Sequence, residues 1–128
     1  MGKIIPAMVD YFETEKYIFV HGWIPCESIR QHPYAFTHFR IEDWRNATEQ
    51  QWGCARWTNG MDAAHDGVIE EGKDIVCGHW HSSYDHSRYE RKCSEFGDDA
   101  DFTPYYGKGI IAIDVCTVHS GKINCLIL

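Results

Sequence analysis

A short apolar strand that ends in a glycine and two histidines is the feature that most constrains this chain. Residues 75–77 form a β-prone run, and Gly78 then precedes His79 and His81. Because successive side chains of an extended strand alternate between faces, His79 and His81 are predicted to point to the same side. Neutral imidazole is the commonest metal ligand in proteins, so the pair predicts a metal site at a strand end.

Composition limits the classes of fold and partner. A chain of 128 residues fits one small domain, spanning 1–128, and its aromatic content of 14% favours a packed core over disorder. The net charge of -7 argues against nucleic acid or an anionic membrane surface as a partner. We find no run approaching the ~20 apolar residues that span a bilayer, and the cytoplasm is the predicted location.

The order of patterns predicts an α/β fold. The predicted elements are a strand at 17–21, a helical stripe over 41–64 with an end at 59–60, a strand at 74–78, a long loop over 81–107, and a terminal hairpin of strands 109–114 and 122–128.

Three histidines share one sequence context. His21, like His79 and His81, stands where an apolar run gives way to a glycine-containing loop. Ligands from distant positions gather at such strand ends in α/β folds. For each histidine taken alone, a hydrogen-bonded residue at the edge of the core is the favoured interpretation. Cys77 could be a thiolate ligand, although core packing is the favoured interpretation, and the six cysteines are interpreted as structural.

Four segments of the chain together resemble a known family. They are Phe-Val-His-Gly-Trp-Ile-Pro at 19–25, Ala-Arg-Trp at 55–57, Gly-His-Trp-His at 78–81, and Ile-Asp-Val-Cys-Thr-Val at 113–118 followed by Gly-Lys at 121–122. In this order they resemble the C-terminal half of a calcineurin-like metallophosphoesterase, in the branch of serine/threonine protein phosphatases and bacterial diadenosine tetraphosphatases.

The resemblance implies a fold and a set of site residues. The fold would be the C-terminal half of a two-sheet sandwich flanked by helices. His21 and His79 would bind one metal of a dinuclear centre of Mn, Fe or Zn, and His81 would bind the other. Arg56 would hold the phosphate oxygens of the substrate, a role that suits its planar set of donors. No residue of this chain is assigned as a catalytic acid or base.

The family motifs Gly-Asp-x-His-Gly, Gly-Asp-x-x-Asp-Arg-Gly and Gly-Asn-His-Glu do not occur in the sequence. Three imidazoles lack the anionic ligands that a dinuclear site needs, so the chain is expected to be an incomplete phosphoesterase. Its substrate would be a phosphorylated small molecule or protein. A missing N-terminal half, or self-association through an uncovered sheet, is the expected protein partner.

Two other hypotheses stay open at the level of sequence. In one, the chain is a non-catalytic or degenerate zinc-binding and interaction module. In the other, it is a stand-alone mononuclear hydrolase, because three histidines and a water can form a catalytic zinc site.

Overall fold

The computed structural model of the chain describes residues 8–33 and 35–128, and all structural statements concern these residues. The elements are strands β1 (Tyr11–Glu13), β2 (Tyr17–Val20), β3 (Cys26–His32), β4 (Ala35–Arg40), β5 (Asp74–His81), β6 (Tyr105–Gly107) and β7 (Ile110–Asp114), and helices α1 (Glu49–Ala55), α2 (Gly60–His65), α3 (Ser83–Arg88) and α4 (Thr117–Ser120). This mixture of strands and helices confirms the predicted α/β class.

The main sheet has five strands in the order β1-β2-β5-β7-β6. Strand β5 pairs in parallel with β2 on one side and with β7 on the other, whereas β1 and β6 are antiparallel edge strands. The strands β3 and β4 form a separate antiparallel hairpin. Because β2, β5 and β7 run in one direction, their carboxyl ends lie at the same edge of the sheet.

The core forms around the apolar strand residues and a buried loop that follows β2. Ile18, Ile75 and Ile110 are buried in the three parallel strands. In the loop, Trp23 is buried and its indole nitrogen donates a hydrogen bond of 2.9 Å to the carbonyl oxygen of Val68. A buried indole that keeps its hydrogen bond avoids a desolvation cost, so Trp23 can anchor this loop to the segment before β5.

The predicted helical segment 41–64 contains the two short helices α1 and α2, and the boundary between them differs from the prediction. Thr48 caps α1 through a capping box with Gln51, in which side chain and backbone satisfy each other. The prediction that residues 59–60 end a helix is wrong, because the Asn59 side chain accepts hydrogen bonds from the amides of Met61 and Asp62 and thereby begins α2. An Asn-Gly pair is also a turn signal, which is why the sequence was ambiguous here.

The predicted terminal hairpin is also wrong. Residues 122–128, all of them described by the structure, form no strand, and β7 instead forms a hairpin with β6. Since β5 and β6 occupy both edges of β7, no hydrogen-bonding edge remains beside it for the last segment. The Asn124 side chain holds that segment by donating to the carbonyl oxygens of Phe102 and Ile113.

The predicted loop over 81–107 contains regular structure. Helix α3 begins two residues after β5, and β6 ends the segment. The hairpin of β3 and β4, by contrast, was not predicted, because most of its side chains are exposed and show no apolar run. None of the helices in the described part of the chain is long and apolar enough to cross a membrane.

Gly22 allows the loop after β2 to contact the end of α1. A Cβ atom at this position would lie 2.5 Å from the carbonyl oxygen of Ala55 and 2.6 Å from that of Arg56. The Trp23 amide also donates a hydrogen bond of 3.0 Å to the Ala55 oxygen. Backbone atoms therefore require glycine here, and they fix the loop beside His21 against α1.

Gly22→Ala is expected to lower the free energy of unfolding by about 2 kcal/mol or more, because the added methyl group overlaps backbone oxygens. Gly53→Ala is the matched control within α1, where a Cβ atom meets nothing within 4 Å. That variant is expected to gain about 0.5–1 kcal/mol from helix propensity. Urea unfolding measures both, and equal stability of the two variants would contradict this packing.

Asp85 carries a buried carboxyl group that has no hydrogen-bond partner among the described residues. The residue lies in α3 and is fully buried. Burial, assisted by the charge of Asp62, raises the pKa of Asp85 from its ordinary 3.8 to about 7. His65 Nε2 lies 3.4 Å from Asp85 Oδ1, but burial lowers the pKa of His65, so its positive charge is disfavoured.

The raised pKa gives the protein a defined pH dependence. The folded state holds the Asp85 proton above pH 4 whereas the unfolded state releases it, so this contribution to stability is lost as pH rises through about 7. Asp85→Asn removes the loss and is expected to be more stable than the wild type at pH 8 by about 2–4 kcal/mol, with little difference at pH 4. Thermal unfolding across pH, with exposed Asp98→Asn as control, measures this; parallel wild-type and Asp85→Asn profiles would contradict it.

Candidate functional site

The carboxyl ends of the three parallel strands bring together residues that are distant in sequence. His21 follows β2, His79 lies near the end of β5, and Asp114 ends β7. The amide of Gly78 donates a hydrogen bond of 2.9 Å to the His21 carbonyl oxygen, which joins the first two strands at this point. Strand ends at one edge of an α/β sheet are where such folds assemble ligand sites.

The rings of His21 and His79 are neighbours. Their centroids lie 5.1 Å apart with an angle of 52° between the ring planes. The indole of Trp57, which follows α1, meets the His79 ring edge-on at a centroid distance of 5.2 Å. Two imidazoles beside an indole form a corner at the protein surface, here called the histidine corner, whose nitrogen donors can hold a cation.

The environment of His79 disfavours its protonated form. Partial burial lowers the pKa of His79, and the nearby imidazole of His21 acts in the same direction, whereas Asp114 opposes the shift. The neutral imidazole keeps a ring-nitrogen lone pair free for a ligand.

The end of β5 departs from a regular strand. The register with β7 is regular from Ile75 to Cys77 and resumes only at His81, opposite Asp114, so β5 bulges between them. Within the bulge His79 has a φ of 67°, a left-handed conformation that costs a residue with a Cβ atom about 1–2 kcal/mol. The simple alternation used to place His79 and His81 on one side therefore does not hold across this segment.

His81 has different neighbours from His79. Its Nε2 atom lies 2.9 Å from Oε1 of Glu95, and its ring centroid is 4.7 Å from that of Phe96. His79 contacts His21 and Trp57, while His81 contacts the segment that follows α3. The two histidines therefore contact different groups of residues, although both lie near the end of β5.

Arg56 lies at the end of α1 and is held by carboxylates. Its Nε atom donates a 2.8 Å hydrogen bond to Asp10, and its guanidinium also lies 3.0 Å from Glu49. These two hydrogen-bonded partners raise the pKa of Arg56 further. A phosphate that bound Arg56 would have to compete with Asp10 and Glu49 for the same donors.

The described residues do not complete a metal site by themselves. Within ranges 8–33 and 35–128, no group of three or more His, Cys, Asp or Glu side chains is arranged to hold a metal ion. His21 and His79 fit a part of such a set, but a stable site needs further ligands. Cys77 is not among them, because it is buried in the core and burial raises the pKa of its thiol.

Three residues at this corner were not assigned a role from the sequence. Asp114 was seen only as part of a closing segment, Trp57 only as a neighbour of Arg56, and Glu95 was not singled out. The signal for Asp114 was available, since it directly follows an apolar run that can pair in parallel with β5. The contacts of Trp57 and Glu95 depend on loops, for which the sequence carries no periodic signal.

Comparison of the chain with models of known protein families, with curated proteins and with solved structures gives no match.

The left-handed backbone at His79 can be tested by substitution. Both His79→Ala and His79→Gly remove the imidazole, but glycine adopts a positive φ without the Cβ penalty. We expect His79→Gly to be more stable than His79→Ala by about 1 kcal/mol in urea unfolding. At Trp80, the next residue, whose φ is not positive, the same pair is expected to show the reverse order. A more stable alanine variant at position 79 would contradict the strained bulge.

Proposed function

We propose that this chain carries the histidine ligands of a metal-dependent phosphoesterase that hydrolyses phosphoric esters or nucleotide polyphosphates. In the proposed protein the chain forms the C-terminal half of a two-sheet sandwich of the calcineurin-like type. His21 and His79 bind one divalent cation, and His81 binds a second one. The cations are Mn, Fe or Zn, and the location is the cytoplasm.

The observation that carries the proposal is the pairing of His21 with His79. The two residues are separated by more than fifty positions in sequence, yet their ring centroids lie 5.1 Å apart at the carboxyl ends of neighbouring parallel strands. The hydrogen bond from the Gly78 amide to the His21 carbonyl holds the two strand ends side by side. The order of sequence segments that resemble the family agrees with this arrangement.

The chain's own residues have defined tasks in this proposal. His21 and His79 supply nitrogen donors, and the ring of Trp57 packs edge-on against His79. Glu95 orients His81 through the contact with its Nε2 atom. Divalent cations held by these residues would supply Lewis-acid chemistry for hydrolysis of a phosphoric ester. Arg56 contacts the phosphate once its ion pairs with Asp10 and Glu49 are exchanged.

The proposed centre needs carboxylate ligands in addition to these histidines. Asp114 lies at this strand edge, and its Oδ1 atom accepts a hydrogen bond of 2.7 Å from the amide of Cys116. One carboxylate cannot neutralise two divalent cations. The remaining anionic ligands are therefore assigned to an N-terminal half of the phosphoesterase, carried on the same polypeptide or on a separate one.

A second candidate function is that of a non-catalytic zinc-binding or interaction module. The neutralisation of Arg56 by two carboxylates favours it, because the donors that a phosphate would use are already engaged. Apolar side chains also lie exposed at the edge strand β1, where Phe12 is 62% exposed. An exposed edge of this kind can pair with another chain or with a second copy.

Metal binding tests the ligand assignment. Equilibrium dialysis of the full chain against excess Mn²⁺ or Zn²⁺, followed by elemental analysis, is expected to show a weakly bound cation, because His21 and His79 supply only part of a ligand set. His21→Ala and His79→Ala are each expected to weaken binding about tenfold or more, because each removes one donor of the pair. The control is His32→Ala, which changes an exposed histidine on β3. Unchanged binding in both site variants would contradict the assignment.

Hydrolysis separates the two candidate functions. The proposed phosphoesterase requires Gly-Asp-x-His-Gly and its companion motifs, encoded upstream of Met1 or in a neighbouring gene. Production of that segment together with this chain is expected to give Mn²⁺-dependent hydrolysis of p-nitrophenyl phosphate that His79→Ala abolishes. An unrelated upstream gene, together with tightly held zinc and no hydrolysis, would favour the interaction module.

A further inference from the structure

A cavity of about 570 Å³ lies beside the histidine corner. Its walls come from the hairpin of β3 and β4, from the segment between α1 and α2, from the end of β5, and from α3. The lining side chains are Ser28, Pro33, Phe36, His38, Trp57, Thr58, Asn59, Asp62, Trp80, Tyr84 and Arg88. A volume in this range suits a small organic ligand rather than a single ion.

Aromatic side chains from four separate segments converge on this cavity. They are Phe36, Trp57, Trp80 and Tyr84. Trp57 is 71% exposed and Phe36 is 46% exposed, although both are large apolar groups that normally favour burial. Their exposure into a shared concavity differs from apolar residues scattered over a convex surface, and it is typical of a binding site.

The polar part of the cavity is positioned by a hydrogen-bond network. The Asp62 carboxylate accepts hydrogen bonds from the hydroxyl of Tyr84 at 3.1 Å and from that of Tyr89 at 2.7 Å. Burial and the Asp62 charge raise the pKa of both tyrosines, so both hydroxyls remain donors. The Arg88 guanidinium stands over the Tyr84 ring, 5.8 Å from its centroid, and leaves most of its surface exposed.

Trp57 connects this cavity with the histidine corner. The same indole that lines the cavity meets the His79 ring at 5.2 Å. A molecule with a phosphate at the histidine corner could therefore extend its organic part along Trp57 into the cavity. The cavity and the histidine corner therefore share one wall, the indole of Trp57.

We propose that this cavity binds the planar aromatic group of a phosphate-bearing small molecule, by stacking against Trp57, Trp80 and Phe36. The assignment of the phosphate to the histidine corner rests on the proposed function, whereas the aromatic site does not. Aromatic stacking in a protein site favours a flat ring over an aliphatic group of equal size. A nucleoside base and a phenol ring share the required chemistry.

A binding experiment without metal tests the aromatic site separately from the phosphoesterase centre. Adenosine and N-acetyltyrosinamide are titrated into the full chain in buffer containing EDTA, and binding is followed by ligand-observed NMR. Ribose 5-phosphate, which has a phosphate but no aromatic ring, is the control ligand. We expect at least one aromatic probe to bind saturably and ribose 5-phosphate not to bind. The probe that binds more tightly shows whether the site prefers a nucleoside base or a phenol ring.

Variants on the hairpin locate the site. Phe36→Ala is expected to weaken binding of the preferred probe about fivefold or more, because it removes one aromatic wall. Phe39→Ala is the matched control, since Phe39 lies on the same strand and is 45% exposed but does not line the cavity. Trp57→Ala is expected to weaken binding by a similar factor.

Two results would overturn the aromatic site. One is the absence of saturable binding for both aromatic probes while the chain still binds Mn²⁺ or Zn²⁺, and this leaves the proposed function intact. The other is an equal loss of binding in Phe36→Ala and Phe39→Ala. If the full chain binds adenosine or N-acetyltyrosinamide but binds neither Mn²⁺ nor Zn²⁺, the proposed phosphoesterase is overturned and the aromatic site stays in place.

Discussion

The parallel hydrogen bonding of β5 between β2 and β7 is the constraint on which the other features of this molecule depend. Ile75 pairs with Ile18 on one side and with Ile110 on the other, and all three side chains are buried. Burial of such side chains contributes about 1.5–3 kcal/mol each, so the register is strongly fixed. With the register fixed, the residues after each strand meet at one edge.

The first half of β5 is regularly paired and buried, and the second half is strained. The buried first half holds the strand in place, and the second half departs from the ladder where His79 takes a left-handed conformation. Strain of this kind persists only where the surrounding structure over-determines it. Here the Gly78 amide is bonded to the His21 carbonyl, and the loop after His21 is fixed against α1 through Gly22. The position of the His79 ring therefore depends on packing that extends to α1.

Sequence patterns predicted the elements whose signals are local and apolar. The strand at 17–21, the strand that begins at Asp74 and the helical stripe around Trp52 are all present, with boundaries shifted by a few residues. The last segment, 122–128, has a strong β propensity but forms no strand, because pairing depends on a free neighbouring edge rather than on propensity. The hairpin of β3 and β4 was missed for the opposite reason, since it forms with little apolar patterning.

The candidate site was predictable to the extent that it follows from parallel strands. His21 and His79 each follow an apolar run, and the sheet brings them together. His81 diverges from His79 because of a bulge; Gly78 within the strand is a bulge signal, but it does not fix where the following side chains lie. The ion pair of Arg56 with Asp10 joins residues 46 positions apart, for which the sequence carries no local signal. The aromatic cavity depends on four segments at once, so it belongs to the tertiary structure alone.

The central claim is that His21 and His79 act as one ligand pair. Titration of Zn²⁺ into the full chain, followed by NMR of the histidine ring nitrogens, tests this most directly. The account predicts that the His21 and His79 ring signals shift together and saturate at the same ratio of zinc to protein, while those of His32 do not move. A response of His79 without His21, or no response of either ring at a large excess of zinc, would contradict it.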